Sequence, residues 1–186
     1  MPFGSLWLPV IVSAVVIFLA SWVIHMLLKY HKADFRPLPS EDAVREALAK
    51  ANIPPGMYMT PHCDDHSKMK EPAMLDKFNK GPVAVLSVFP KGMPNMGKHL
   101  GQWFVFCLFV SFVAGYVARI TLHPGDAGMV ICRITGTVAF AAYACGHIMD
   151  SIWKGQPWGN TGRAILDGII YAVLTGVTFQ FLWPAA

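Results

Sequence analysis

The sequence is short of charge. Asp, Glu, Lys and Arg make up 14% of its 186 residues, where a soluble domain carries about a quarter. Before Trp7 there is no Lys or Arg, so the positive start of a secretory leader is missing. The four cysteines, Cys63, Cys107, Cys132 and Cys145, form no CxxC pair, which removes a disulfide framework and the common zinc spacings. GxSxG, HExxH, a Walker A loop and a dinucleotide fingerprint are all lacking. These absences lean the reading away from an enzyme.

What is present is apolar. Hydrophobic residues reach 54%, more than a soluble core of this length can hide. The run Leu6–Leu28 is 23 residues long and ends at Lys29 and Lys32. It is too long for a leader's apolar core and long enough to span, so it reads as a retained helix. Further runs cover about 101–120, 127–149 and 164–183. Each approaches the roughly 20 residues needed to cross hydrocarbon, and lipid admits helices because they satisfy their own backbone. The expectation is an all-α membrane protein: a first transmembrane helix over 1–28, a loop over 29–98, and a three-helix unit over 99–186.

Eleven of the fifteen Lys and Arg residues fall between Lys29 and Lys98, mixed with eight acids. That segment suits a headgroup surface and gives no reason to invoke nucleic acid. By the positive-inside rule the loop faces the cytoplasm and both termini face away, as in a bacterial inner membrane. Trp7 and Trp183 then mark the outer interface; Trp103, Trp153 and Trp158 mark the inner one. Within the loop, Ser40 predicts an N-cap for a short helix ending near Ala51. Residues 53–72, rich in proline, read as irregular, and Val83–Phe89 reads as one strand of a possible pair.

Small residues recur at helical spacing: Gly168, Ala172 and Gly176 on the fourth helix, and Thr135, Ala139, Ala142 and Gly146 on the third. Ser111 and Gly115 make a shorter stripe on the second. Such stripes let helices approach closely, within one chain or between copies. Self-association, or a place as an accessory subunit among other membrane proteins, follows as the leading functional expectation.

Ionisable groups inside the spans each cost roughly 2.5–3.5 kcal/mol at mid-helix, so they single themselves out. Arg133 and His147 share a stripe of the third helix with Thr137, Phe140 and Ala144, and Asp150 lies a turn beyond. Asp167 falls near the start of the fourth helix, where Arg163 one turn earlier could pair with it. His25 lies near the inner end of the first. His25, His147 and Asp167 could hold a divalent metal, and pairs among His25, His99 and His147 could ligate haem. Asp167 and His147 could instead carry protons in a small transporter. Arg119 and Arg133, toward the other end, suit anionic lipid headgroups. In the loop, His62, Cys63 and His66, with Asp64 and Asp65 between them, could bind zinc or copper, though without a recognised metal spacing.

Overall fold

The structure, a computed structural model, describes residues 3–185. It divides into two compact units. One runs to Phe35 and resumes at Asn95; the other comprises Arg36–Pro94.

The first unit is a four-helix bundle. After a 3-10 turn at Phe3–Leu6, α1 spans Trp7–Trp22 and continues as a wider π-type turn over Val23–Leu27. A short 3-10 segment follows at Lys29–Ala33. The remaining helices of this unit are Met96–Thr121, Gly128–Tyr143, Gly146–Trp153 and Trp158–Phe181. Four stretches are long and apolar enough to cross a membrane: Gly4–Leu27, Met96–Thr121, Gly128–Trp153 and Trp158–Phe181. At 1.5 Å per residue each exceeds the hydrocarbon thickness of about 30 Å. Large apolar side chains face outward on all four, among them Ile11, Leu19, Phe109, Ile120, Val130 and Val173. Water would penalise that surface and lipid does not. The chain is an all-α integral membrane protein.

The helices run longer than hydropathy alone outlines. The second begins at Met96, where the Asn95 side chain accepts from the Lys98 amide at 3.0 Å and caps the free N–H groups. The fourth begins at Trp158, just after Pro157, so Asp167 lies about two and a half turns inside it.

The second unit holds α2 (Glu41–Lys50), β1 (Gly56–Thr60), a 3-10 turn (His66–Lys70), α3 (Pro72–Lys80) and β2 (Ala84–Val88). The two strands pair antiparallel, with Gly56 opposite Val88, Tyr58 opposite Leu86 and Thr60 opposite Ala84. The partner of the anticipated strand thus comes from the segment expected to be irregular. A second helix follows that segment, because Pro72 occupies its first turn, where a missing N–H matters least, and Gly81 at φ 64° ends it. Ser40 does precede α2, but in a left-handed conformation whose side chain makes no capping bond. In chain order the bundle's later helices are α4 (Met96–Thr121), α5 (Gly128–Tyr143), α6 (Gly146–Trp153) and α7 (Trp158–Phe181).

Close approach of α5 and α7 organises the bundle. A Cβ on Gly176 would sit 2.7 Å from the Cys132 carbonyl oxygen, and one on Gly168 would sit 2.6 Å from the Ala144 Cβ. Gly136 faces the Ala172 carbonyl in the same way at 3.1 Å. The α7 stripe is therefore an intramolecular contact surface. On the third span Thr135 and Ala139 are buried, whereas Ala142 and Gly146 are exposed: the buried row Ile131, Thr135, Ala139 continues through Tyr143 rather than Ala142, and Gly146 lies beyond the helix break at Ala144–Cys145. Gly115 on α4 packs against Val10 and Phe179, and Ser111 is buried a turn away. The apolar interior continues through Ala14, Ile17, Cys107, Val110, Tyr143 and Tyr171.

Candidate functional site

The polar interior gathers at one end, where α1 runs out. Its last turn has side chains competing for carbonyls. The Ser21 hydroxyl donates to the Phe18 carbonyl at 2.8 Å and accepts from the Trp103 indole at 2.8 Å. The Ser21 carbonyl lies 3.0 Å from His25 Nδ1. A carbonyl only accepts, so His25 Nδ1 is the donor in this contact. The π-type turn over Val23–Leu27 widens the helix here, a feature often found at functional positions.

The chain then leaves the helix at Leu28 and the 3-10 segment returns Tyr30, His31 and Asp34 to the side of α7. The His31 ring stacks on His25, with centroids 4.5 Å apart and planes 7° from parallel. His31 Nε2 lies 2.9 Å from Asp167 Oδ2, and Nδ1 lies 2.6 Å from Asp34 Oδ2. Both ring nitrogens thus face carboxylate oxygens. The Tyr30 hydroxyl donates to Asp167 Oδ1. His25 Nε2 approaches Asp167 Oδ2 to 4.0 Å.

Asp167 is 6% exposed, and its company explains how a carboxylate survives there. Acids and bases alternate along the cluster: Asp167, His31, Asp34 and Arg163, whose Nε donates to Asp34 Oδ1 at 2.6 Å. Asn160 completes the clasp by donating to the Asp34 carbonyl at 2.9 Å and accepting from Arg163 Nη2 at 2.8 Å. Burial pushes the Asp34 carboxyl up, but hydrogen bonds from His31 and Arg163 outweigh it and hold the group below its ordinary value. Burial, reinforced by the Asp167 carboxylate, pushes the Tyr30 hydroxyl well above the usual phenol range.

The anticipated polar residues divide between this cluster and other places. His25 and Asp167 belong to it. Arg163 does not pair with Asp167 as its one-turn spacing suggested, because Asp34 reaches it from the 3-10 segment. His147 contributes only its carbonyl, to the Thr161 hydroxyl at 3.4 Å, and Asp150 pairs with Lys154 at 2.6 Å. His99 sits in the first turn of α4. Arg119 is exposed in the last turn of α4, and Arg133 is exposed on α5. In the second unit His62 pairs with Asp64 at 2.8 Å, Cys63 donates to the Asp65 carbonyl at 3.1 Å, and His66 opens a 3-10 turn. Among the described residues only His25, His31 and Asp167 form a set of three metal-capable donors with their ligand atoms within 4.8 Å of one another.

Tyr30, His31 and Asp34 are the functional residues that sequence reasoning missed. Lys29 and Lys32 frame them, and a basic stop signal reads as chain leaving the membrane. The available signal was Asp167 itself, since a carboxylate inside a span calls for a donor at the same end. No family model matches the sequence, and comparison with curated proteins and with solved structures yields no match.

Proposed function

We propose that this integral membrane protein binds a divalent transition-metal ion between its first and fourth spans, with His25, His31 and Asp167 as ligands. The proximity of one donor atom each from His25, His31 and Asp167, all within 4.8 Å of one another, carries the reading. A tetrahedral ion with bonds of about 2.1 Å holds its ligand atoms about 3.4 Å apart. The separations of 2.9 and 4.0 Å from Asp167 lie on either side of that value. Each histidine also has its far nitrogen fixed, His31 by the Asp34 carboxylate and His25 by the Ser21 carbonyl. Metal-ligating histidines are oriented by such acceptors.

Charge supports the same reading. When His31 releases its Nε2 proton, two neutral imidazoles and two carboxylates remain, with Arg163 opposing one negative charge. A dication in the lost proton's place meets both carboxylates and takes the net charge of the cluster from −1 to +1. Two imidazoles and one carboxylate suit zinc, copper, nickel or iron better than calcium or magnesium. Haem suits the site poorly, because rings stacked 4.5 Å apart leave no slot for a macrocycle between them. The His25 side chain is about half exposed, which gives an ion access from outside the bundle. With the basic residues read as cytoplasmic, the protein is a non-enzymatic metal-binding component whose site opens on the cytoplasmic side of the inner membrane.

The test is cobalt and zinc binding to the full chain in mild detergent. One ion per chain is expected, with cobalt giving the visible absorbance of a low-symmetry site. His31→Ala and Asp167→Asn should abolish it, Asp34→Asn should weaken it about 10–100-fold, and His62→Ala should leave it unchanged. A folded wild-type protein that retains no stoichiometric metal would overturn the reading. So would variants at His31 and Asp167 that bind as well as the parent.

A further inference from the structure

A second feature lies toward the other end of the same bundle and has no part in the metal reading. An open groove of about 300 Å³ runs along the outside of the α5–α7 contact, lined by Cys132, Arg133, Gly136, Thr137, Phe140, Ile169, Ala172 and Val173. The small residues that bring the helices together also shape it: Gly136 and Ala172 lie where the backbones touch, and the larger Phe140, Ile169 and Val173 stand exposed beside them.

Arg133 makes this groove chemically specific. It lies five residues past Gly128, about 7.5 Å along the helix axis, and it is exposed. Among the described residues it has no carboxylate partner and no hydrogen bond. A guanidinium facing the outside of a membrane span needs an anion or the interface, and an anion that reaches it must come from the lipid side. Thr137 follows one turn deeper on the same face, its hydroxyl also without a partner among the described residues. Beyond it the lining turns apolar, through Phe140 and Ile169, and Val173 stands about level with Thr137 on the facing helix.

Read from the end of the helix inward, the order is cation, hydroxyl, then hydrocarbon. An anionic phospholipid presents its groups in the same order. We propose that one anionic phospholipid occupies this groove, its phosphate held by Arg133, its glycerol-ester carbonyl by the Thr137 hydroxyl, and one acyl chain laid against Phe140, Ile169 and Val173. The planar fork of the guanidinium suits two phosphate oxygens, and its hydrogen bonds strengthen where water is scarce. The volume lies near the lower end for small-molecule sites, enough for part of a lipid and too little for a whole one.

Native mass spectrometry of the full chain tests this, after incubation in mild detergent with phosphatidylglycerol or phosphatidylcholine. One phosphatidylglycerol per chain should be retained, at least tenfold more than phosphatidylcholine. Arg133→Gln should reduce that retention tenfold or more. Val173→Trp, which fills the groove and leaves the cation in place, should also reduce it. Both positions are exposed, and unchanged thermal unfolding will confirm that the variants fold. Equal retention by parent and Arg133→Gln would overturn the assignment. Inorganic phosphate competing as well as the lipid at equal concentration would remove the acyl chain from it. A lipid-free dimer that Arg133→Gln or Val173→Trp dissociates would assign the groove to a second copy of the chain instead.

Discussion

Replacing glycine by alanine at two positions of α7 should move stability in opposite directions. At Gly176 an added Cβ would lie 2.7 Å from both the carbonyl oxygen and the Sγ of Cys132, well inside the 3.4 Å at which ordinary contact begins. The sulfur can swing away, but the carbonyl belongs to α5, so relief requires the helices to part. Overpacking of this kind costs about 1–3 kcal/mol. Gly162, in the same helix, is exposed and would meet nothing within 4 Å. There alanine only removes the excess freedom of glycine in the unfolded chain, a gain of about 0.5–1 kcal/mol. The two variants should therefore differ by about 1.5–4 kcal/mol. Reversible unfolding in mixed micelles, followed by helical circular dichroism, resolves a difference of that size. Equal stability of Gly176→Ala and Gly162→Ala would refute the claim that glycine at Gly176 is there for backbone approach. Gly168→Ala, with its Cβ 2.6 Å from that of Ala144, should repeat the loss.

Other substitutions probe separate parts of the molecule. Arg163→Gln removes the donor to Asp34 and should destabilise the bundle by about 1–3 kcal/mol in the same unfolding assay, a range kept below that of a fully buried pair because both side chains are partly exposed. The Thr175 hydroxyl is buried and has no partner among the described residues, so Thr175→Val should stabilise by about 1 kcal/mol; a loss of that size would show that the hydroxyl is in fact bonded. The Asp65 carboxylate accepts from the Ser67 side chain and amide, which hold it below its ordinary 3.8. A depressed carboxylate contributes stability above its unfolded value and loses it as pH falls through the folded one, so the Ser67 amide resonance should move only below about pH 4, and Asp65→Asn should abolish that shift.

The bundle was legible because lipid imposes a simple requirement: runs of about twenty apolar residues, each satisfying its own backbone. The α7 stripe of Gly168, Ala172 and Gly176 was equally plain, since its four-residue spacing survives along an unbroken helix. The companion stripe on the third span was not, because the pattern assumed a regular helix through Ala144. The break leaves Gly146 exposed, the buried row runs through Tyr143 and not Ala142, and Gly136, which the spacing had passed over, lies against Ala172. The strand pair was half legible for a related reason. Val83–Phe89 has the composition of a strand, but its partner Gly56–Thr60 lies across α3 and is flanked by prolines that argued for irregular chain.

The site divides along the same line. Asp167 stood out because a carboxylate in a span is costly wherever it points, and His25 because it falls in the first apolar run. Their meeting depends on long-range placement of α1 against α7, which no local spacing encodes. The pairing of Arg163 with Asp167 was the local answer, one helical turn apart, and it loses to a contact from 129 residues away. The reason lies at Leu28: with φ −89° and ψ 75° it ends the helix without proline or glycine to announce the turn. Had α1 continued for two more turns, His31 would have followed its axis beyond the last turn of the span. Ended at Leu28, the chain folds back, and a segment whose charge marks it as leaving the membrane supplies the histidine, the phenol and the second carboxylate that a buried Asp167 requires.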